Sequence, residues 1–124
     1  MITNRPLYSD NELFLFVQSK TRKHFNIIYD HYSSIVYGFL LHSGLPEKYA
    51  TDILEQTFVT AWNSSIPTPS HPKISFLSWI LRLAIDSTKN YLIENNRRFI
   101  INYKNYFSIH VEFTDALNPS VCSA

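Results

Sequence analysis

Apolar residues return every three or four positions through most of the first 98 residues of this chain, the period of amphipathic helices. Ser9-Asp10-Asn11-Glu12 has the form of a capping box, with Ser9 as N-cap and Glu12 three residues on. The helix it opens carries Leu13, Phe14, Phe16 and Val17 and is expected to end near Ser19 and Lys20. A second helix is predicted over residues 22–42, its stripe made of Phe25, Ile28, Tyr29, Tyr32, Ile35, Val36, Phe39 and Leu40. Gly44 is its stop signal, and Pro46 fits the first turn of the next helix.

The third predicted helix covers residues 46–63. Tyr49, Ala50, Ile53, Leu54, Phe58, Ala61 and Trp62 lie on one face, while Asp52, Glu55, Gln56, Val59 and Asn63 line another that the core does not need. Residues 66–73, IPTPSHPK, read as a stiff extended loop, because each Pro biases its predecessor away from the helix. Ser75 then caps a fourth helix reaching about Asn96, with Phe76, Ile80, Leu81, Ala84, Tyr91 and Leu92 inward and Thr88 bridging the stripe. The segment 99–107 fits a short fifth helix or an extended segment equally well. Its aromatic content predicts that the tail folds back on the helices, since that much apolar surface in water is costly. The fold expected is therefore all-α, a bundle of about four helices. Phe25, Tyr29, Tyr32, Ile53, Leu54, Phe58, Trp62, Phe76, Ile80 and Ala84 are its expected core.

Composition agrees with one helical domain: 124 residues with 45% hydrophobic positions bury a real core, and only two Gly occur. The six Pro fall between the periodic segments. The lone Cys122 permits neither an internal disulfide nor a cysteine zinc site. The polar N-terminus lacks the apolar region of a secretory signal, and the longest apolar runs are too short to cross a bilayer, so a reduced cytoplasmic protein without membrane contact is expected.

The net charge of +1 conceals an uneven distribution. Three acids (Glu47, Asp52, Glu55) stand against one base (Lys48) in residues 47–72, whereas five bases (Lys73, Arg82, Lys89, Arg97, Arg98) stand against two acids (Asp86, Glu94) in residues 73–98. An acidic helix followed by a basic one suggests partners of opposite sign. No phosphate-binding Gly loop, GxSxG or HExxH occurs, and no enzyme is expected. The five His lack carboxylates at ligand spacing, so neither a metal nor another cofactor is expected. Trp62 and Trp79 follow the apolar period and are expected in the core or at its margin.

The order of four segments resembles the core domain, region two, of the extracytoplasmic-function (ECF) sigma factors of bacterial RNA polymerase. They are the opening helix SDNELFLFV, then FNIIYDHY with Phe25, Tyr29 and Tyr32, then DILEQTFVTAW, then SFLSWILRLA. The resemblance covers roughly residues 9–98. It implies that Asp52, Glu55, Gln56 and Val59 dock on the clamp coiled coil of the polymerase's largest subunit. It also implies that Lys73, Ser75, Arg82, Lys89, Asn90, Arg97 and Arg98 meet the minus-ten element of promoter DNA. Melting that element needs a pocket for flipped bases and cations for the phosphates. The family's Gln-Glu pair is reversed here as Glu55-Gln56. Ile85 replaces a basic position, and Asp86 replaces a common Asn. Fewer phosphate contacts mean weaker binding, so weak DNA affinity is expected of the domain alone.

The expected division is a region-two-like helical domain over residues 1–98 and a tail over 99–124 without the family's helix-turn-helix domain. The leading reading is a sigma-factor core domain that binds core polymerase and directs transcription initiation. A second is a degenerate sigma-like interaction module that occupies polymerase or an anti-sigma factor without opening DNA. A third is an unrelated small helical bundle.

Overall fold

The computed structural model describes residues 8–64, 75–105 and 107–115. Four helices, α1 (Asp10–Ser19), α2 (Arg22–His42), α3 (Glu47–Asn63) and α4 (Phe76–Glu94), are followed by a hairpin of β1 (Phe99–Asn105) and β2 (Ser108–Phe113). The capping box of α1 forms as its sequence predicts: Ser9 Oγ accepts from Glu12 N, and Glu12 Oε1 accepts from Ser9 N. Thr21 and Ser75 cap α2 and α4 with one bond each, accepting from His24 N and Ser78 N. Pro46 stands one residue earlier than expected, as the N-cap of α3, with extended backbone (ψ 150°) and no side-chain bond to offer.

The core runs through all four helices. Phe58 and Ile53 of α3, Phe76, Ile80, Ala84 and Leu92 of α4, Val36 and Leu40 of α2, and Val17 of α1 are buried. Of the ten residues expected inside, Ile53, Phe58, Phe76, Ile80 and Ala84 are buried, and Phe25, Tyr32, Leu54 and Trp62 are half-buried. Tyr29 is a correction at 37% exposure, and Ile35 of the same predicted stripe is exposed as well. On α2 only Ile28, Val36 and Leu40 are buried, so the buried stripe is narrower than the apolar one. Tyr29 instead lays its ring edge against Phe58 at 5.0 Å between centroids. Both Trp rings sit at the core margin: Trp62 packs on Phe25 and Trp79 on Phe14 and Phe76.

The all-α expectation needs a second correction. FIINYKN and SIHVEF pair antiparallel, Phe99 opposite Phe113 and Ile101 opposite Val111, with an irregularity between Tyr103 and Asn105. Asn105 Oδ1 accepts from Phe107 N and stabilises the turn. The strand wins because β-branched and aromatic residues alternate, so Ile109 and Val111 face the helices while His110 and Glu112 face water. The hairpin is anchored where Val111 N donates to Ser43 O, the carbonyl at the end of α2 (2.8 Å). Gly44 follows with φ +98°, a left-handed conformation in which any side chain would be strained.

Candidate functional site

The outer face of α3 is what the i, i+3, i+4, i+7 spacing of Asp52, Glu55, Gln56 and Val59 leaves after Ile53, Phe58 and Ala61 turn inward. Glu55 and Asn63 are exposed, Gln56 is half-buried, and Val59 presents 53% of its surface to solvent. Asp52 is different. It is half-buried, and its Oδ2 accepts a 2.5 Å hydrogen bond from the Tyr91 hydroxyl of α4. That bond pushes the Tyr91 phenol up to about 12, with burial adding to the shift. Of the four positions on this face, Asp52 serves the α3–α4 packing, and Glu55 is the carboxylate that stands free in water.

The candidate nucleic-acid residues divide more sharply. Arg82 and Asn90 are exposed and Lys89 half-buried along the solvent side of α4, at spacings that place them on one stripe. The exposed Asp86 lies within the same stripe, one turn from both cations. Ser75 uses its hydroxyl locally, accepting from Ser78 N and donating to Ser78 Oγ at 2.9 Å. Arg98 is exposed, and its backbone N–H donates to Asp115. Lys73 lies outside the described residues.

Arg97 is held within the fold. Asn96 adopts a left-handed conformation (φ 58°), and Arg97 N reaches back to Leu92 O, an end motif that turns the chain over the start of α3. The guanidinium then forms a bidentate pair with Asp115 (2.8 and 3.1 Å) and donates to the Tyr49 hydroxyl (2.7 Å). Its carbon lies 4.3 Å from the Phe113 ring centre. The pair to Arg97, helped by the Arg98 N–H, holds the Asp115 carboxyl down at about 2 and pushes the Arg97 guanidinium upward. Arg97 thus ties α3, the end of α4 and the hairpin together. A phosphate would have to displace a carboxylate already in a two-point bond.

Sequence reading missed Tyr91, Tyr49 and Asp115, whose partners lie 39, 48 and 18 residues away, beyond any local spacing rule. It also missed Lys20, whose ammonium donates to the backbone carbonyls of Trp62 and Ser64 and so finishes the open end of α3. His24 and His31 are each engaged separately. His24 stacks on Phe16 and meets Ser19 Oγ at 2.7 Å, and His31 Nδ1 lies 2.9 Å from Ile27 O. Among the described residues no group of three His, Cys, Asp or Glu side chains is placed to hold a metal ion, and no helix is long and apolar enough to cross a membrane.

No family model and no solved structure matches the chain. A curated relative, the ECF RNA polymerase sigma-E factor of Haemophilus influenzae (strain ATCC 51907 / DSM 11121 / KW20 / Rd), is 29% identical over 90 residues. The match covers 73% of this chain and 46% of the relative, so the chain spans about half the length of the curated protein it resembles. The similarity supports a sigma-factor-like role at the level of the protein class.

Proposed function

We propose that this chain acts as a sigma-factor core domain in the cytoplasm, using the outer face of α3 to dock on core RNA polymerase and the solvent side of α4 to touch promoter DNA. The observation that carries the reading is the α3 face itself. An exposed valine at 53% stands one turn from the free Glu55 carboxylate and beside Gln56, on a helix whose other side already satisfies the core. An apolar centre with a free carboxylate one turn away suits a partner helix that brings a base to Glu55. The resemblance of DILEQTFVTAW to the family's docking helix supports the polymerase clamp as that partner, and the sigma-E relative supports RNA polymerase at the level of the protein class. The test is a pull-down with core polymerase, comparing wild type with Glu55→Arg and Val59→Glu. These positions are preferable to Asp52, whose replacement would also break the Tyr91 bond. Each variant is expected to lose at least tenfold in affinity, and equal binding by all three proteins would refute the docking face.

The interaction-module reading is favoured by a specific observation on the other face. With Arg97 bound to Asp115, Ser75 engaged in its cap and Asp86 inside the stripe, the cations of the candidate DNA-facing set that stay uncommitted among the described residues are Arg82, Lys89 and Arg98, with Asn90 on the same stripe as Arg82 and Lys89. Each lost phosphate contact lowers both affinity and its salt dependence. Fluorescence anisotropy with a labelled single strand carrying a minus-ten-like element, with and without core polymerase, separates the two. Sigma activity predicts salt-sensitive binding reduced by Arg82→Ala, whereas the interaction module predicts no DNA signal in either setting.

A further inference from the structure

A cleft of about 550 Å³ opens between the start of α2 and the end of α3, lined by Lys20, Arg22, Phe25, Asn26, Val59, Trp62 and Asn63. Its floor is aromatic, with Phe25 and Trp62 edge to face at 5.0 Å. Its rim is rich in donors and contains no acid. Lys20 is committed to the α3 carbonyls, but Arg22, Asn26 and Asn63 are exposed, with no side-chain hydrogen bond or ion pair among the described residues. Arg22 and Lys23 also occupy the first turn of α2, where no acid stands and where the helix dipole disfavours positive charge. A local rule broken without local compensation is characteristic of a functional position.

We infer that this cleft receives an acidic side chain of the partner helix that docks on α3. The inference rests on the proposed docking face, with which the cleft shares Val59. The physical reason is that the combined surface is bipolar. Glu55 lies one turn before Val59, and Arg22 and the donor-rich rim lie beyond it towards Asn63. A nucleic-acid strand crossing the surface would meet the Glu55 carboxylate, whereas a helix of mixed charge meets complementary groups at both ends. From Glu55 to Asn63 is eight residues of α3, about 12 Å. The partner helix therefore carries a base and an acid about two turns apart, with apolar side chains between them over Val59 and Trp62.

The experiment measures binding of the full chain to bacterial core RNA polymerase by anisotropy, for wild type, Glu55→Arg, Arg22→Glu and Asn26→Asp. The same proteins are titrated with a labelled single-stranded DNA 12-mer. Arg22→Glu and Asn26→Asp are each expected to weaken polymerase binding roughly tenfold. Replacing one acid on the clamp helices by Lys is expected to restore affinity to Arg22→Glu while weakening wild type. For Arg22→Glu misfolding is controlled for, because an acid in the first turn of α2 is favourable and the melting temperature should not fall; the melting temperatures of Asn26→Asp and Glu55→Arg, both exposed positions, are measured alongside. If Glu55→Arg weakens binding while Arg22→Glu and Asn26→Asp do not, the cleft inference is overturned and the docking face stands. If none of the three weakens it, both are overturned. Loss of DNA binding by Arg22→Glu with unchanged polymerase binding would make the cleft a nucleic-acid site and overturn the inference.

Discussion

Replacing Phe58 by Ala tests the packing on which every proposed surface depends. Phe58 is 2% exposed on the inner side of α3, next in sequence to the exposed Val59. Burial of a large apolar side chain is worth about 1.5–3 kcal/mol. The edge-to-face contact with Tyr29 at 5.0 Å adds about 0.5–1.5 kcal/mol, while the Phe25 contact at 6.5 Å is near the outer limit of such pairs and adds little. Together with the hole left behind, the loss is expected to be about 3–5 kcal/mol. A domain of this size has about 5–15 kcal/mol in total, so the variant should fold only marginally. Urea unfolding followed by circular dichroism at 222 nm, with the slope held common to both proteins, measures the difference. A loss under about 1 kcal/mol, the scale of ordinary surface changes, would place Phe58 outside the core and refute the arrangement of α2, α3 and α4.

Two further predictions concern the bonds that join distant segments. The Tyr91 phenol, pushed up to about 12 by its bond to Asp52, contributes stability that is complete below the ordinary tyrosine value of 10 and is lost as pH rises through about 12. The destabilisation of Tyr91→Phe relative to wild type should therefore be constant at neutral pH and shrink above pH 10. A constant gap to pH 12 would refute the bond. Asp115, held down at about 2 by Arg97, contributes stability present above the ordinary carboxylate range and lost as pH falls through about 2. Asp115→Asn should melt at a lower temperature than wild type at pH 7, by a gap that closes between pH 4 and 2. Equal melting temperatures at pH 7 would show that the pair holds nothing.

Much of this architecture is legible in order along the chain, because caps and helical stripes are local. Ser9 and Ser75 act within four residues of themselves, and the inward row of α4 from Phe76 to Leu92 follows from a period of 3.6. The segment from Phe99 was legible only as apolar. Its identity as a hairpin depends on a partner strand and on a seat at Ser43, beside a glycine whose positive φ turns the chain. The same limit applies to the surfaces. Periodicity places Asp52, Glu55 and Val59 on one face, and Arg82, Lys89 and Asn90 on another. It says nothing of which charges are already taken. Tertiary structure decided that Asp52 belongs to Tyr91 and Arg97 to Asp115, and that Lys20 closes the end of α3 beside a cleft. A hydrogen bond between side chains 18 to 48 residues apart depends on where helices cross in space, and that follows from the packing of the whole core rather than from any window of sequence.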